Sequence, residues 1–316
     1  MVPGAGSASP CPEPAGERAG FGDQGRSQPE ADTTAAVRSY YEFLGDLFRA
    51  AWGESLHFSV YSGTQTRDEA AAATESMIAE DAGFGPGMSV LDVGCGSGGP
   101  AMTMATHWSV HVTGVDLVPG HVERAREQAA AHGLSDRTAF LEADATSLPF
   151  PDASFDHVYA IESAYHASDK ARLYAECARV LRPGGSFLGT DWMRGDGWDG
   201  ERGDALLEPV RRHHAIPSLV GPTDLRAHLE ACGLEPVIVQ DLAERGDVMR
   251  NWEPRPEIWP KLAGAARSGP PGALREWRAG AEAIEAAARA GALIFGYWHA
   301  RKPAAPAHRI HAVPAG

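Results

Sequence analysis

The chain has 316 residues, 43% of them hydrophobic, with 42 Asp and Glu against 28 Lys and Arg for a net charge of −14. That length can bury a full core in one or two domains. The acidic balance argues against a nucleic acid as partner, because phosphates are bound by clustered Lys and Arg. No apolar run reaches the ~18 residues that a stable membrane insertion needs.

Met1 to Glu30 are rich in Pro, Gly and Ser and lack the apolar stretch of a signal peptide, so residues 1–34 are expected to be a disordered tail. Cys11, Cys95, Cys177 and Cys232 are scattered without paired spacing, which suits a reduced, cytoplasmic protein. From about Ala35, the residues Val37, Tyr40, Tyr41, Leu44, Leu47 and Phe48 recur at helical spacing. The aromatic stretch Ala51 to Tyr61 has no period and suits a loop over a ligand. A second helix is expected from Thr66 to Ala82, so that 35–85 form an N-terminal helical lid.

Next, the apolar run Val90-Leu91-Asp92-Val93 ends in Gly94-Cys95-Gly96-Ser97-Gly98-Gly99 and opens into a helix at Pro100. A strand, a glycine turn and a helix N-terminus let backbone amides approach a ligand closely. Strands and helices then alternate. Helices are expected at Pro100–Trp108, Pro119–His132, Asp169–Leu181 and Thr223–Cys232. Strands are expected at His111–Leu117, Thr138–Ala143, Asp156–Glu162, Ser186–Trp192 and Pro236–Leu242. Arg182-Pro183-Gly184-Gly185 reads as the stop after a helix. Residues 193–220 read as an insertion on the ligand side. A Trp- and Pro-rich turn region (Trp252 to Trp259) leads to a long helix from Ala273 to Ala290, and Ala292–Ala300 is a last strand. Residues 304–316 are expected to be a second tail. This rhythm predicts an α/β fold with a parallel sheet covered by helices on both faces.

Such sheets bind ligands beyond the carboxyl ends of their strands. Gly94 to Gly96 sit at the end of the first strand, and Asp92 two residues before Gly94. Asp116 ends the second, twenty residues after Gly96, where a carboxylate can accept both ribose hydroxyls. Asp144, followed by Ala145, ends the third and could take an adenine amino group. Glu162 ends the fourth. Histidines, cysteines and acids show no metal-ligand spacing, so no metal is expected.

These segments carry a family resemblance. VLDVGCGSGG (90–99), VTGVDL (112–117), LEADATSLPFPDASFD (141–156) and RVLRPGG (179–185) resemble motifs of the class I S-adenosylmethionine (SAM)-dependent methyltransferases over about residues 88–192. The resemblance implies a Rossmann-like, doubly wound seven-stranded sheet with its last strand antiparallel, in a SAM-binding domain spanning about 86–303. It also implies SAM contacts from Gly94, Cys95, Gly96, Asp116, Leu117, Asp144 and Ala145. WGESLHF (52–58) and AIESAYH (160–166) are similar to the sterol 24-C-methyltransferases. GYWHARKP (296–303) is similar to sarcosine and dimethylglycine N-methyltransferases.

A small-molecule substrate is therefore expected, with self-association left open. If the acceptor is an alkene of an isoprenoid, methylation leaves a cation, which a carboxylate and aromatic faces stabilise in a dry pocket. Glu162 is the expected carboxylate, with Tyr40, Tyr41, Trp52, Phe58 and Tyr61 as walls and Glu162 or His166 as base. Arg211-Arg212-His213-His214 is a candidate anion site for a substrate carboxylate or diphosphate. The alternatives are an N- or O-methyltransferase of a small metabolite, and a SAM-binding protein without catalysis.

Overall fold

The computed structural model describes residues 30–253 and 255–304; the expected tails lie almost wholly outside them. Seven strands form one sheet: β1 (Ser89–Val93), β2 (His111–Asp116), β3 (Thr138–Glu142), β4 (Phe155–Ile161), β5 (Leu181–Arg194), β6 (Glu235–Asp241) and β7 (Leu293–Arg301). Their order is β3-β2-β1-β4-β5-β7-β6. β1 to β5 pair in parallel, as in Val93 with Val115 and Asp92 with Tyr159. β7 runs antiparallel between β5 and β6. The predicted seven-stranded α/β sheet with an antiparallel last strand is the observed one.

The helices are α1 (Glu30–Trp52), α2 (Arg67–Ala82), α3 (Gly99–His107), α4 (Pro119–Ala131), α5 (Lys170–Val180), α6 (Glu201–His213), α7 (Pro222–Ala231), α8 (Trp259–Ser268) and α9 (Ala273–Arg289). Successive strand residues point to opposite faces, so the apolar run of β1 feeds two cores. Val90 packs with Met104, Val122, Phe140 and Leu188 on one face. Leu91 and Val93 pack with Leu173, Cys177, Phe187 and Leu229 on the other. A third cluster joins Leu44, Leu47 and Ala51 of α1 to Leu262 of α8 and Ala273 of α9. These three helices form a layer with its own small core.

Three expectations need correction. The first helix starts at Glu30, inside the expected tail, and absorbs Ala51 and Trp52 from the expected loop. The turn at 182–185 lies inside β5, as an irregularity between the pairs Phe155–Leu181 and His157–Ser186. There Gly184 takes a φ of +85°, a conformation open to glycine. The region after Trp252 gives rise to a further helix, α8, before the long one.

Candidate functional site

The carboxyl ends of β1 to β4 open on a cavity of about 1090 Å³. All eight expected cofactor residues line it: Asp92, Gly94, Cys95, Gly96, Asp116, Leu117, Asp144 and Ala145. The glycine turn is sterically required. Gly94 has φ +75°, and a Cβ there would lie 2.3 Å from the Ser163 Cβ. Turn and second strand are tied together, because the Gly94 and Cys95 amides both donate to the Val115 carbonyl.

Asp116 accepts from the Gly96 amide (2.9 Å) and the Val118 amide (2.8 Å), and His121 Nδ1 lies 3.3 Å from its Oδ1. Burial opposes its charge, yet His121 and the two amides outweigh burial and hold the carboxyl below the usual range. Asp144 is fixed by the Thr146 amide and hydroxyl, both on Oδ1. Asp92 differs: burial pushes its carboxyl up to about 8, although Tyr159 donates to it at 2.9 Å. Thr33, Thr34, Val37 and Tyr41 of α1 line the cavity from the other side. A glycine cradle and two fixed carboxylates in a deep cleft suit the ribose, adenine and methionine parts of a SAM molecule.

A second cavity of about 1120 Å³ adjoins the first. Its aromatic lining comes from α1 (Tyr40, Tyr41, Phe48, Trp52), the following loop (Phe58), the turn after β4 (Tyr165), β5 (Trp192), and Trp252, Trp259 and Trp277 near the C-terminal helices. Phe58 stacks on Trp252 with ring centres 5.1 Å apart, and Tyr165 stacks on Trp192 at 4.9 Å. Tyr41, Leu56, His57 and Glu162 line both cavities and mark their junction.

At that junction Glu162 is 7% exposed. Its backbone adopts φ +48°, uncommon for a residue with a side chain. One carboxylate oxygen accepts from the Phe58 amide (2.8 Å), the other from Trp192 Nε1 (2.9 Å). Both groups can only donate, so the arrangement fits an ionised carboxylate. Burial raises its pKa to about 7, against the His57 charge and these two bonds.

His166 is buried with Tyr41 Oη 3.0 Å from Nε2 and the Ala215 carbonyl 3.3 Å from Nδ1. The carbonyl only accepts, so Nδ1 carries the hydrogen and Nε2 accepts from Tyr41. Burial pushes this imidazole down to about 3, so it is neutral. Tyr40 pairs in the same way with His214 Nδ1 at 2.6 Å.

Two expectations do not hold. Tyr61 lines neither cavity; it forms an isolated β-bridge with Asp247 and lies under the Arg250 guanidinium. The stretch 211–214 is not one anion site. Arg211 pairs with Glu208, His213 with Glu276, and Arg212 is exposed; His214 alone lines the aromatic cavity. The sequence reading missed the partners of Glu162, namely Trp192 and the Phe58 amide. It also missed His57 and Glu75, although Glu75 lies on the face of α2 that carries Ala71, Ile78 and Ala79. Among the described residues, no group of three or more His, Cys, Asp or Glu could hold a metal ion. No described helix is long and apolar enough to cross a membrane.

Comparison with known proteins places this geometry in context. Residues 90–185 match a family model described as a methyltransferase domain. A sterol 24-C-methyltransferase of Gibberella zeae is 35% identical over 246 residues, covering 74% of this chain and 61% of that protein. The chain thus spans about three fifths of the length of the sterol enzymes it matches. A 27-O-demethylrifamycin SV methyltransferase of Amycolatopsis mediterranei is 37% identical over 206 residues, covering 65% of this chain and 75% of that protein. Among solved structures, the [4+2]-cyclase SpnF superposes with a TM-score of 0.71 at 27% identity, over 86% of this chain and 97% of its own.

Proposed function

The chain belongs to the SAM-dependent methyltransferases, and from that premise we propose that it methylates an alkene carbon of a lipophilic, isoprenoid-like small molecule. The observation that carries this reading is the placement of Glu162 where the cofactor cavity meets an aromatic chamber. Bound SAM supplies an electrophilic methyl group on a sulfonium. In this reading Asp116, Asp144 and the turn from Gly94 to Gly96 hold the cofactor, Asp92 and Cys95 shape its floor, and Leu117 and Ala145 pack against it.

Methylation of an alkene leaves a positive charge on the acceptor and requires loss of a proton. The Glu162 carboxylate is held by Phe58 and Trp192 before that charge exists. Preorganised opposite charge in a dry site is worth most where charge develops, about 10²–10³ in rate for one such group. The faces of Trp52, Phe58, Tyr165, Trp192 and Trp252 add cation–π attraction, up to ~2 kcal/mol each when desolvated. For the proton, Glu162 is one acceptor. The other is the Tyr41 oxygen, which can pass its own hydrogen to His166 Nε2 across 3.0 Å.

The lining favours an apolar acceptor over a diphosphate. Arg255 is the one arginine among the described residues lining the aromatic chamber, and it donates to the Ala51 carbonyl. A second reading, O-methylation of a natural product, is favoured by the rifamycin relative, of which 75% is covered. Tyr41 and His166 would then take the hydroxyl proton. Incubation with SAM and a panel of sterols with side-chain alkenes, prenyl alcohols, prenyl diphosphates and hydroxylated macrolactams decides between them. Mass spectrometry and carbon NMR should place the new methyl on carbon. A methyl on oxygen as the main product overturns the first reading.

A further inference from the structure

A buried ion pair lies under the junction of the two cavities, and the chemistry above leaves it unused. His57 Nε2 is 3.1 Å from Glu75 Oε1, with both side chains 1% exposed. Nδ1 of the same ring is 2.8 Å from the Phe58 carbonyl, which can only accept, so Nδ1 carries a hydrogen. Ser55 Oγ donates to the same Glu75 oxygen at 2.7 Å. A carboxylate at this depth costs several kcal/mol unless it is paired. Burial works against charge on His57, but the bond to Glu75 and the Glu75 charge outweigh it and raise the imidazole above its ordinary value. Glu75 is held below its own value despite burial, again through His57.

The pair is wired to Glu162. Phe58 offers its carbonyl to His57 and its amide to Glu162 Oε1. A continuous path therefore runs from Glu75 on α2, through His57 and the Phe58 peptide groups, to Glu162 and on to Trp192 on β5. We infer that His57, held as an imidazolium by Glu75, is a positioning residue for Glu162, fixing the Phe58 amide on that carboxylate and supplying the positive charge that keeps it ionised in a dry site. This rests on the role proposed for Glu162.

The other groups facing Glu162 cannot replace His57. Arg67 of α2 favours the carboxylate charge but acts more weakly than His57. Asp191 of β5, Tyr41 of α1 and Tyr165 are each made harder to ionise by Glu162, so none supplies positive charge. Asp92 of β1 also feels the His57 charge.

The test is the pH profile of turnover, with SAM affinity measured alongside. His57→Asn keeps a donor where Nδ1 was and removes the charge; Glu75→Gln removes the charge partner and leaves His57 in place. Both variants should keep SAM affinity within about twofold. Both should move the acidic limb of kcat upward by about one pH unit, a tenfold loss near pH 6.5, and recover most of the rate by pH 9. A uniform loss at every pH, or an unmoved limb in a folded His57→Asn protein while Glu162→Gln is inactive, overturns the inference alone. Wild-type turnover in Glu162→Gln would instead overturn the role of Glu162 itself.

Discussion

The two cavities share Glu162 but are assembled in opposite ways. The cofactor cavity takes its acidic and glycine lining from consecutive strand ends: a glycine turn after β1, Asp116 on β2, Asp144 after β3 and Glu162 after β4. Asp116 accepts from the Val118 amide of its own turn and from the Gly96 amide of the glycine turn, and Asp144 from the Thr146 amide. The aromatic chamber draws on α1, the 53–61 loop, β5, the 249–259 segment and α9, which meet only in the folded chain. Its polar lining includes the Tyr40–His214 pair, Asn251 and Arg255, with Glu162 the buried carboxylate at its mouth. In the proposed reading, the cofactor is held by residues at successive strand ends, whereas recognition of the acceptor is non-local and largely a matter of shape.

If that division is right, substitutions should separate the two halves. The largest effect is expected from Gly94→Val, which puts a side chain at φ +75° against Ser163. Backbone strain and overlap together should cost about 3 kcal/mol or more, read as a fall in the urea midpoint with loss of SAM binding. Next comes Asp116→Ala. It removes the carboxylate proposed for the ribose and leaves two buried amides unmatched, which at ~1.5–3 kcal/mol per charged hydrogen bond should weaken SAM at least about 100-fold in calorimetry. Binding of a lipophilic acceptor analogue should survive. A smaller effect on the other side is expected from Trp252→Ala, which removes the stack on Phe58. At ~0.5–1.5 kcal/mol for such a pair, the acceptor KM should rise about tenfold with SAM affinity unchanged. Loss of SAM affinity in Trp252→Ala would break the division.

The same division explains what could be read from the sequence. Each of the eight proposed cofactor residues sits in or just after its own strand, within the segments that carry the family resemblance, and all eight line one cavity. The chamber gave no such pattern. Trp192, Trp252 and Trp277 lie far apart in the chain and converge only through packing of the helical layer. The basic stretch 211–214, only a candidate anion site, does not converge because neighbours at the end of a helix point in different directions. Arg211 turns back to Glu208, His213 across to Glu276, and His214 inward to Tyr40. His57 and Glu75 were missed for a similar reason, being eighteen positions apart on a loop and a helix.

One comparison bears most directly on the proposed meeting of the two halves: turnover and SAM affinity of Glu162→Gln, measured side by side with an alkene acceptor. The amide keeps the size of the side chain and removes its charge. Turnover should drop at least about 100-fold while the SAM dissociation constant stays within about twofold. Turnover close to wild type, or a loss of SAM affinity as large as the loss of rate, would contradict a carboxylate that serves the acceptor's positive charge.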